Sequence, residues 1–362
     1  MNEAAPYDRL SPDAVIHALE GAGLSPDGRI LALNSYENRV YQAGMDEGAP
    51  VVAKFYRPGR WSDDAILEEH AFAWELADAE IPVVPPLRFD GRTLLQSQGY
   101  RFAVFERRGG RWPELGRPEE REWMGRFMGR MHAVGRAGRF AHRRRLDAHE
   151  LGEAARDTVL EGDWMPDYLA DKYAQVTQDI LDEIAWCAAD WGGASILRIH
   201  GDCHRGNVLW TDAGPHFVDL DDCRTGPAIQ DLWMLLSGGT AQMRAELTDL
   251  LAGYEQFSPF DRSELALIEP LRALRMIHYS AWIAQRWHDP AFPKAFPFLG
   301  SPRPAIGNNT IVRSKSNSRR CASRPCRCER RDASVPRAGA ASHGVSCAFY
   351  AGFACRLRCR RR

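Results

Sequence analysis

The segment Ile199-His200-Gly201-Asp202-Cys203-His204-Arg205-Gly206-Asn207, answered further on by Phe217-Val218-Asp219-Leu220-Asp221-Asp222, constrains this chain more than any other. It places a carboxylate, an amide five residues later and a second carboxylate twelve residues after that. The β-like runs Ile196-His200, Val208-Trp210 and His216-Leu220 lie around these groups, so a hairpin can return Asp219 beside Asn207. Phosphoryl transfer needs an aligned hydroxyl, a carboxylate to take its proton, and oxygen ligands for magnesium. Asp202 fits the base, and Asn207 and Asp219 fit the metal. Turn formation explains any one of these residues alone. It does not explain the set at these spacings.

A second signal lies upstream. Val51-Val52-Ala53-Lys54 reads as a strand ending in the lysine that pairs with nucleotide α- and β-phosphates. A solvated lysine at a strand end is the plain alternative. The following helix, Trp61 to Ala77, adds weight because it carries Glu68 and Glu69. Glu69 is favoured as the partner of Lys54, since Leu76 then falls two turns later on the packed side. Glu68 stays open, and whichever acid is not used is a surface residue. Between the first two strands lies Asn34-Ser35-Tyr36-Glu37-Asn38, where a phosphate-covering flap belongs. It lacks glycine, but its N–H groups and the Ser35 hydroxyl can donate to phosphate oxygens. An ordinary hairpin turn explains it equally well.

The order of elements predicts an α+β, protein-kinase-like fold with two lobes. A helix over 12–22, capped by Ser11, precedes strands at Arg29-Leu33, Val40-Gly44, Val51-Tyr56, Thr93-Gln96 and Tyr100-Phe105. Arg107-Arg108-Gly109-Gly110 marks a turn, so residues 1–108 form a β-rich nucleotide-binding lobe. Residues 109–300 form a helical lobe, with helices over Trp123-Val134 and near 148–159, 168–190, 228–238, 240–256 and 262–287. In it His132 reads as a structural helix-end residue. His200 packs beneath the loop of Asp202 and orients it, and Asp231 caps or braces that loop.

Charge divides the chain. Residues 301–362 carry fifteen Arg and Lys against Glu329 and Asp332, a net +13. The preceding 300 residues carry 32 basic and 46 acidic residues, a net −14. So acidic a body is a poor binder of nucleic acid. No run reaches the roughly 18 apolar residues of a membrane span, and the polar start MNEAAPYDRLSPD shows no secretory leader. The cytoplasm is the expected compartment, in keeping with three scattered body cysteines, Cys187, Cys203 and Cys223. Six more cysteines lie after residue 320, at spacings that do not make paired zinc ligands. Periodicity ends near Ser301. The Ser/Arg/Ala/Cys bias beyond it reads as disorder, or as a slipped reading frame.

These residues resemble the aminoglycoside phosphotransferase and choline kinase superfamily, whose catalytic loop runs H-G-D-x-H-x-x-N. They resemble still more closely one branch of it, bacterial Ser/Thr protein kinases of the stress response. The carrying segments are NSYENRVYQ (34–42), FYRPGRW (55–61), ILEEH (66–70), FAVF (102–105), LRIHGDCHRGNVLW (197–210), FVDLDD (217–222), GPAIQDLWMLL (226–236) and residues 267–299. The likeness spans about residues 8–300. It implies ATP and Mg2+ as cofactors, Asp202 as proton acceptor, Asn207 and Asp219 on magnesium, and Ser35 and Lys54 at ATP. It also implies a Ser/Thr protein acceptor and autophosphorylation, and a monomer is the expected state. Glu106-Arg107-Arg108 departs from the family at the hinge. The family continues into a further helix where this chain turns to its basic tail, which would leave one face of the helical lobe uncovered.

The residues alone leave a small-molecule hydroxyl kinase open. The Asp219 to Asp231 connection is short and has no A-P-E anchor. A nucleotide-binding module without catalysis is disfavoured, because the base and both metal positions are present. The tail is expected to add nothing to transfer. A chain ending at Gly300 should keep ATP binding and lose oxidation-dependent oligomers. Much weaker ATP binding by that truncation under reducing conditions would make the tail a structural element.

Overall fold

The computed structural model describes residues 6–297, apart from 163, 166 and 189–195. These residues belong to one compact unit. The expectation of disorder after Ser301 lies outside the described residues, as does the end of the helix expected over 168–190.

In chain order the elements are α1 (Pro12–Gly21), β1 (Pro26–Ala32), β2 (Arg39–Met45), β3 (Val51–Phe55), α2 (Asp63–Asp78), β4 (Leu95–Ser97) and β5 (Tyr100–Glu106). Then come α3 (Pro118–Ala137), α4 (Ala155–Glu161), α5 (Asp167–Ala188), β6 (Ile196–Ile199), β7 (Val208–Thr211), β8 (Gly214–Phe217) and β9 (Arg224–Pro227). The chain continues through α6 (Ile229–Trp233), α7 (Thr240–Tyr254), α8 (Ile268–Gln285) and α9 (Ala291–Ala295). A β-rich lobe is thus followed by a helical one.

Two serines start the helices that frame the sheet. Ser11 accepts from the Ala14 N–H and Ser62 from the Ala65 N–H, each at 3.2 Å, contacts worth about 1 kcal/mol apiece. The sheet is antiparallel in the order β1-β2-β3-β5-β4. Strand side chains alternate. Ala53 and Phe55 of β3 therefore enter a core with Val15 and Leu19 of α1, while Lys54 emerges on the other face. Its cross-strand neighbour Ala103 packs there against Ile66 of α2.

The helical lobe is built on α3 and α7. A Cβ at Gly125, Gly129 or Gly253 would collide with backbone of the opposite helix, so these glycines let the two axes come close. Met124, Met128 and Met131 of α3 share a core with Phe217, Leu232 and Leu250. Phe72 and Leu76 of α2 belong to the same core, which ties the helix behind the sheet to the second lobe.

Several expected boundaries move. His132 lies inside α3 rather than at a helix end. The helix expected over 228–238 stops at Trp233, because Leu235 and Leu236 bond back three residues and Gly238 turns away at φ +71°. The segments before Ala155 and Ile268 begin as π- and 3₁₀-helix. β8 starts at Gly214 and ends at Phe217, short of the strand end expected at Leu220. β9 was not expected, since Arg-Thr-Gly-Pro reads as a turn. It pairs antiparallel with β6, which precedes Asp202.

Candidate active site

The β7–β8 hairpin pairs Val208 with Phe217, and one step further the Val218 N–H donates to the Asn207 carbonyl at 3.0 Å. Asn207 and Asp219 therefore sit at the open end of one hairpin. Asp219 takes a left-handed conformation, φ 60° and ψ 65°, which aspartate tolerates better than most residues. The chain turns there, leaving the Asp219 side chain 47% exposed.

The loop of Asp202 is held from several sides. Asn207 Nδ2 donates to the Asp202 carbonyl at 3.0 Å and lies 3.5 Å from its Oδ2. His204 Nδ1 accepts from the Gly206 N–H at 2.9 Å, closing a 3₁₀ turn over Arg205–Asn207. Fully buried His200 donates from Nε2 to the Val218 carbonyl at 3.1 Å, joining the loop to the Asp219 turn. Gly201 sits at φ +84°, where a Cβ would collide with the Asp222 carbonyl oxygen, so the loop needs glycine there. Beneath it, buried Asp231 accepts from the His200 and Gly201 N–H groups, both at 2.8 Å, and from His132 Nε2 at 3.1 Å.

Lys54 gathers the acids. Its Nζ lies 3.1 Å from Glu69, 3.0 Å from Asp219 and 3.2 Å from Asp221. Burial alone would discharge this amine, but the three carboxylates outweigh it and hold the ammonium well above the ordinary lysine range. Burial raises Glu69, and Lys54 and Arg143 offset this only in part. Asp221 is held below the usual carboxylate range despite burial, chiefly by Arg60 and then Lys54. Arg60 pairs with Asp221 and, at 2.7 Å, with Asp222.

Glu68 faces the other way, and it is not an idle surface residue. Its carboxylate accepts from the N–H groups of Ala141, His142 and Arg143 at 2.6 to 2.8 Å. That turn aims buried Arg143 at the backbone of the Asp219 loop, where its guanidinium donates to the carbonyls of Leu220, Asp221 and Cys223. Arg60 stood in the FYRPGRW segment with no role assigned to it, and no local pattern marked Arg143. The doublet Asp221-Asp222 was the nearest available signal.

Ser35 is half-buried on the β1–β2 loop and makes no hydrogen bond to the Lys54 cluster among the described residues. The loop is fixed by its neighbours instead. Glu37 accepts from Trp282 Nε1 at 2.5 Å and pairs with Arg286 at 2.7 Å and Arg57 at 2.9 Å. Tyr36 packs on Phe296, 5.2 Å between centroids. Ion pairs and rings thus give this glycine-free loop its shape. At the hinge, Arg108 pairs with Glu106 at 2.6 Å and Arg107 donates to Gln42.

A buried lysine–glutamate pair meets a half-exposed aspartate, whose turn is tied through the Asn207 backbone to the loop of Asp202. A family model described as the phosphotransferase enzyme family matches residues 29–268. Stress response kinase A of Shigella flexneri is 48% identical over 299 residues, covering 82% of this chain and 90% of the relative. Serine/threonine protein kinase RdoA of Salmonella typhimurium is 46% identical over 301 residues, covering 83% and 90%. Among solved structures, amicoumacin kinase hAmiN in complex with AMP-PNP, Ca2+ and Ami superposes with a TM-score of 0.62 at 21% identity, over 75% of this chain and 86% of that one. At that identity the likeness is one of fold.

Proposed function

This chain belongs to the phosphotransferase enzyme family, in its stress response kinase A branch, and from that premise we propose that it is a Ser/Thr protein kinase using ATP. The observation that carries the proposal is the convergence of Lys54, Glu69 and Asp219 beside the braced pair of Asp202 and Asn207. The lysine–glutamate pair is already formed, as an assembled nucleotide site requires.

The residues fit a magnesium ion shared with nucleotide phosphates. Among the described residues no three His, Cys, Asp or Glu side chains make a metal cage on their own. Magnesium seldom needs one, since it takes one or two protein oxygens and completes its shell with phosphate and water. Asn207 spends its Nδ2 on the loop, which leaves the amide oxygen for a cation, and Asp219 spends only Oδ1 on Lys54. When bound, the metal neutralises charge on the β- and γ-phosphates.

The protein's own groups do the rest. Lys54 holds the α- and β-phosphates while Glu69 keeps it oriented, and Ser35 with its neighbouring N–H groups covers the phosphates. Asp202 accepts the proton of the acceptor hydroxyl as that oxygen bonds to the γ-phosphorus. The bond from γ-phosphorus to the β,γ-bridging oxygen breaks, and its electron pair leaves with ADP. The acceptor is a serine or threonine of a protein, this chain included. This reading places the enzyme in the cytoplasm, where the buried thiols Cys203 and Cys223 stay reduced.

A small-molecule hydroxyl is the competing acceptor. It is favoured by the short path from Asp219 to Asp231, which β9 and α6 fill without a long activation segment. Radiolabelled ATP offered with a generic protein substrate, beside a panel of amino alcohols and aminoglycosides, tests the proposal. Label in protein supports it, and label only in the small molecules rejects it. Asp219→Ala should weaken magnesium-dependent ATP binding by at least about tenfold, more than Asp202→Asn does, since it removes a direct metal oxygen. Equal ATP affinities for the two variants in calorimetry would deny them distinct roles.

A further inference from the structure

Arg275 lies on α8, and its Nη1 comes within 2.7 Å of Asp202 Oδ1. The contact is an ion pair without hydrogen-bond alignment. Its partners are partly open to solvent, 42% for Arg275 and 22% for Asp202. Asp202 Oδ2 has Asn207 Nδ2 and His204 Nε2 each at 3.5 Å. Both oxygens of the proposed base are thus attended before any acceptor arrives.

Nothing in the transfer step described above requires this arginine. Lys54 serves the donor phosphates, and Arg60 is committed to Asp221 and Asp222. Two other arginines of the same helical region have carboxylates of their own. Arg272 pairs with Glu269 at 3.0 Å, and Arg286 with Glu37 at 2.7 Å. Among the described residues, the carboxylate that Arg275 pairs with is the base itself. One turn further along α8, on the same side of the helix, stands Tyr279, 45% exposed and stacked on Trp282 at 5.6 Å. The lip beside Asp202 therefore offers a guanidinium and an accessible aromatic face.

An acceptor hydroxyl has to approach a carboxylate that Arg275 already contacts, so the guanidinium must shift aside, and a carboxylate beside that hydroxyl gives it a second charge-assisted partner. We infer that Arg275 selects the acceptor: it favours a serine or threonine with an acidic neighbour, whose carboxylate draws the guanidinium off Asp202 as the hydroxyl reaches the base. An acceptor bearing ammonium groups meets repulsion at the same place. Arg275 is a positioning and specificity residue in this scheme, and the inference rests on the protein-kinase reading above.

The test uses the full chain, ATP and two serine peptides of equal length, one with Asp and Glu around the serine and one with Lys. The wild type should favour the acidic peptide by about two- to fivefold in kcat/KM, the difference expected of one partly exposed charge pair. Arg275→Lys should keep the preference, Arg275→Ala should erase it and Arg275→Glu should reverse it. ATP binding by calorimetry and the unfolding midpoint establish that each variant is folded. Equal rates on the two peptides for the wild type, or equal slowing of both in folded Arg275→Ala, would overturn the inference and leave the kinase reading standing. Label entering amino alcohols or aminoglycosides but neither peptide would overturn both.

Discussion

Asp202→Asn is expected to lower phosphoryl transfer by about 100- to 10,000-fold while ATP binding persists. That loss corresponds to about 3 to 5 kcal/mol of transition-state stabilisation. The substitution keeps the volume of the side chain and leaves Lys54, Glu69, Asn207 and Asp219 in place. It removes the capacity to take the hydroxyl proton. The ion pair with Arg275 is also lost, but it is partly solvated and contributes little to stability. Single-turnover assays at saturating ATP measure the chemical step directly. A rate within threefold or so of wild type would refute the role of Asp202, because a positioned base supplies more than that.

Asp231→Ala is expected to be the most damaging substitution away from the reacting atoms. The carboxylate is fully buried and accepts three hydrogen bonds, from the His200 and Gly201 N–H groups and from His132. With Nε2–H donating to Asp231, His132 Nδ1 accepts from the Tyr254 hydroxyl at 3.0 Å, so the deletion reaches across α3 into α7. Each buried group left unsatisfied costs about 1 to 3 kcal/mol, and breaking a buried network typically costs about 3 to 5 kcal/mol. Denaturant titration should show a loss of that size. Where the variant remains folded, transfer should still fall, because the backbone that presents Asp202 has lost its anchor. A loss below about 1 kcal/mol would mean that the loop is held chiefly by its own turn and by Gln230, whose Nε2 donates to the Gly201 carbonyl at 3.1 Å.

These expectations rest on residues of very different legibility. Asp202, Asn207 and Asp219 could be singled out because their spacing is set within one short stretch of chain. The strand of Lys54 and the helix after it were equally local, since the Val51-Val52-Ala53-Lys54 run and the apolar spacing toward Leu76 mark them. The loop of Ser35 was legible only as a connection between strands. Its shape depends on Trp282 and Arg286, more than 240 residues away. The brace from Asp231 could be suspected from its place after Gly226-Pro227, but its partners, two N–H groups and a histidine of α3, could not be named.

Local pattern determined the order of a β-rich lobe before a helical one, the strand of Lys54, the helix carrying two adjacent glutamates, and the tight loop of Asp202. Each follows from interactions among neighbours in the chain: side-chain alternation, capping, glycine conformation and turn chemistry. Tertiary structure alone decided what those residues meet. Glu68 and Glu69 stand about 100° apart on one helix, and nothing within that helix gives either a partner. Glu69 faces Lys54 because β3 and β5 lie on its side. Glu68 faces the turn at 141–143, which arrives more than 70 residues later and carries Arg143 to the Asp219 loop. The pairing of β9 with β6, the grip of Arg60 on Asp221 and the approach of Arg275 to Asp202 have the same origin. Each joins segments whose separate sequences are compatible with many partners, and only packing around a shared core makes one partner the nearest.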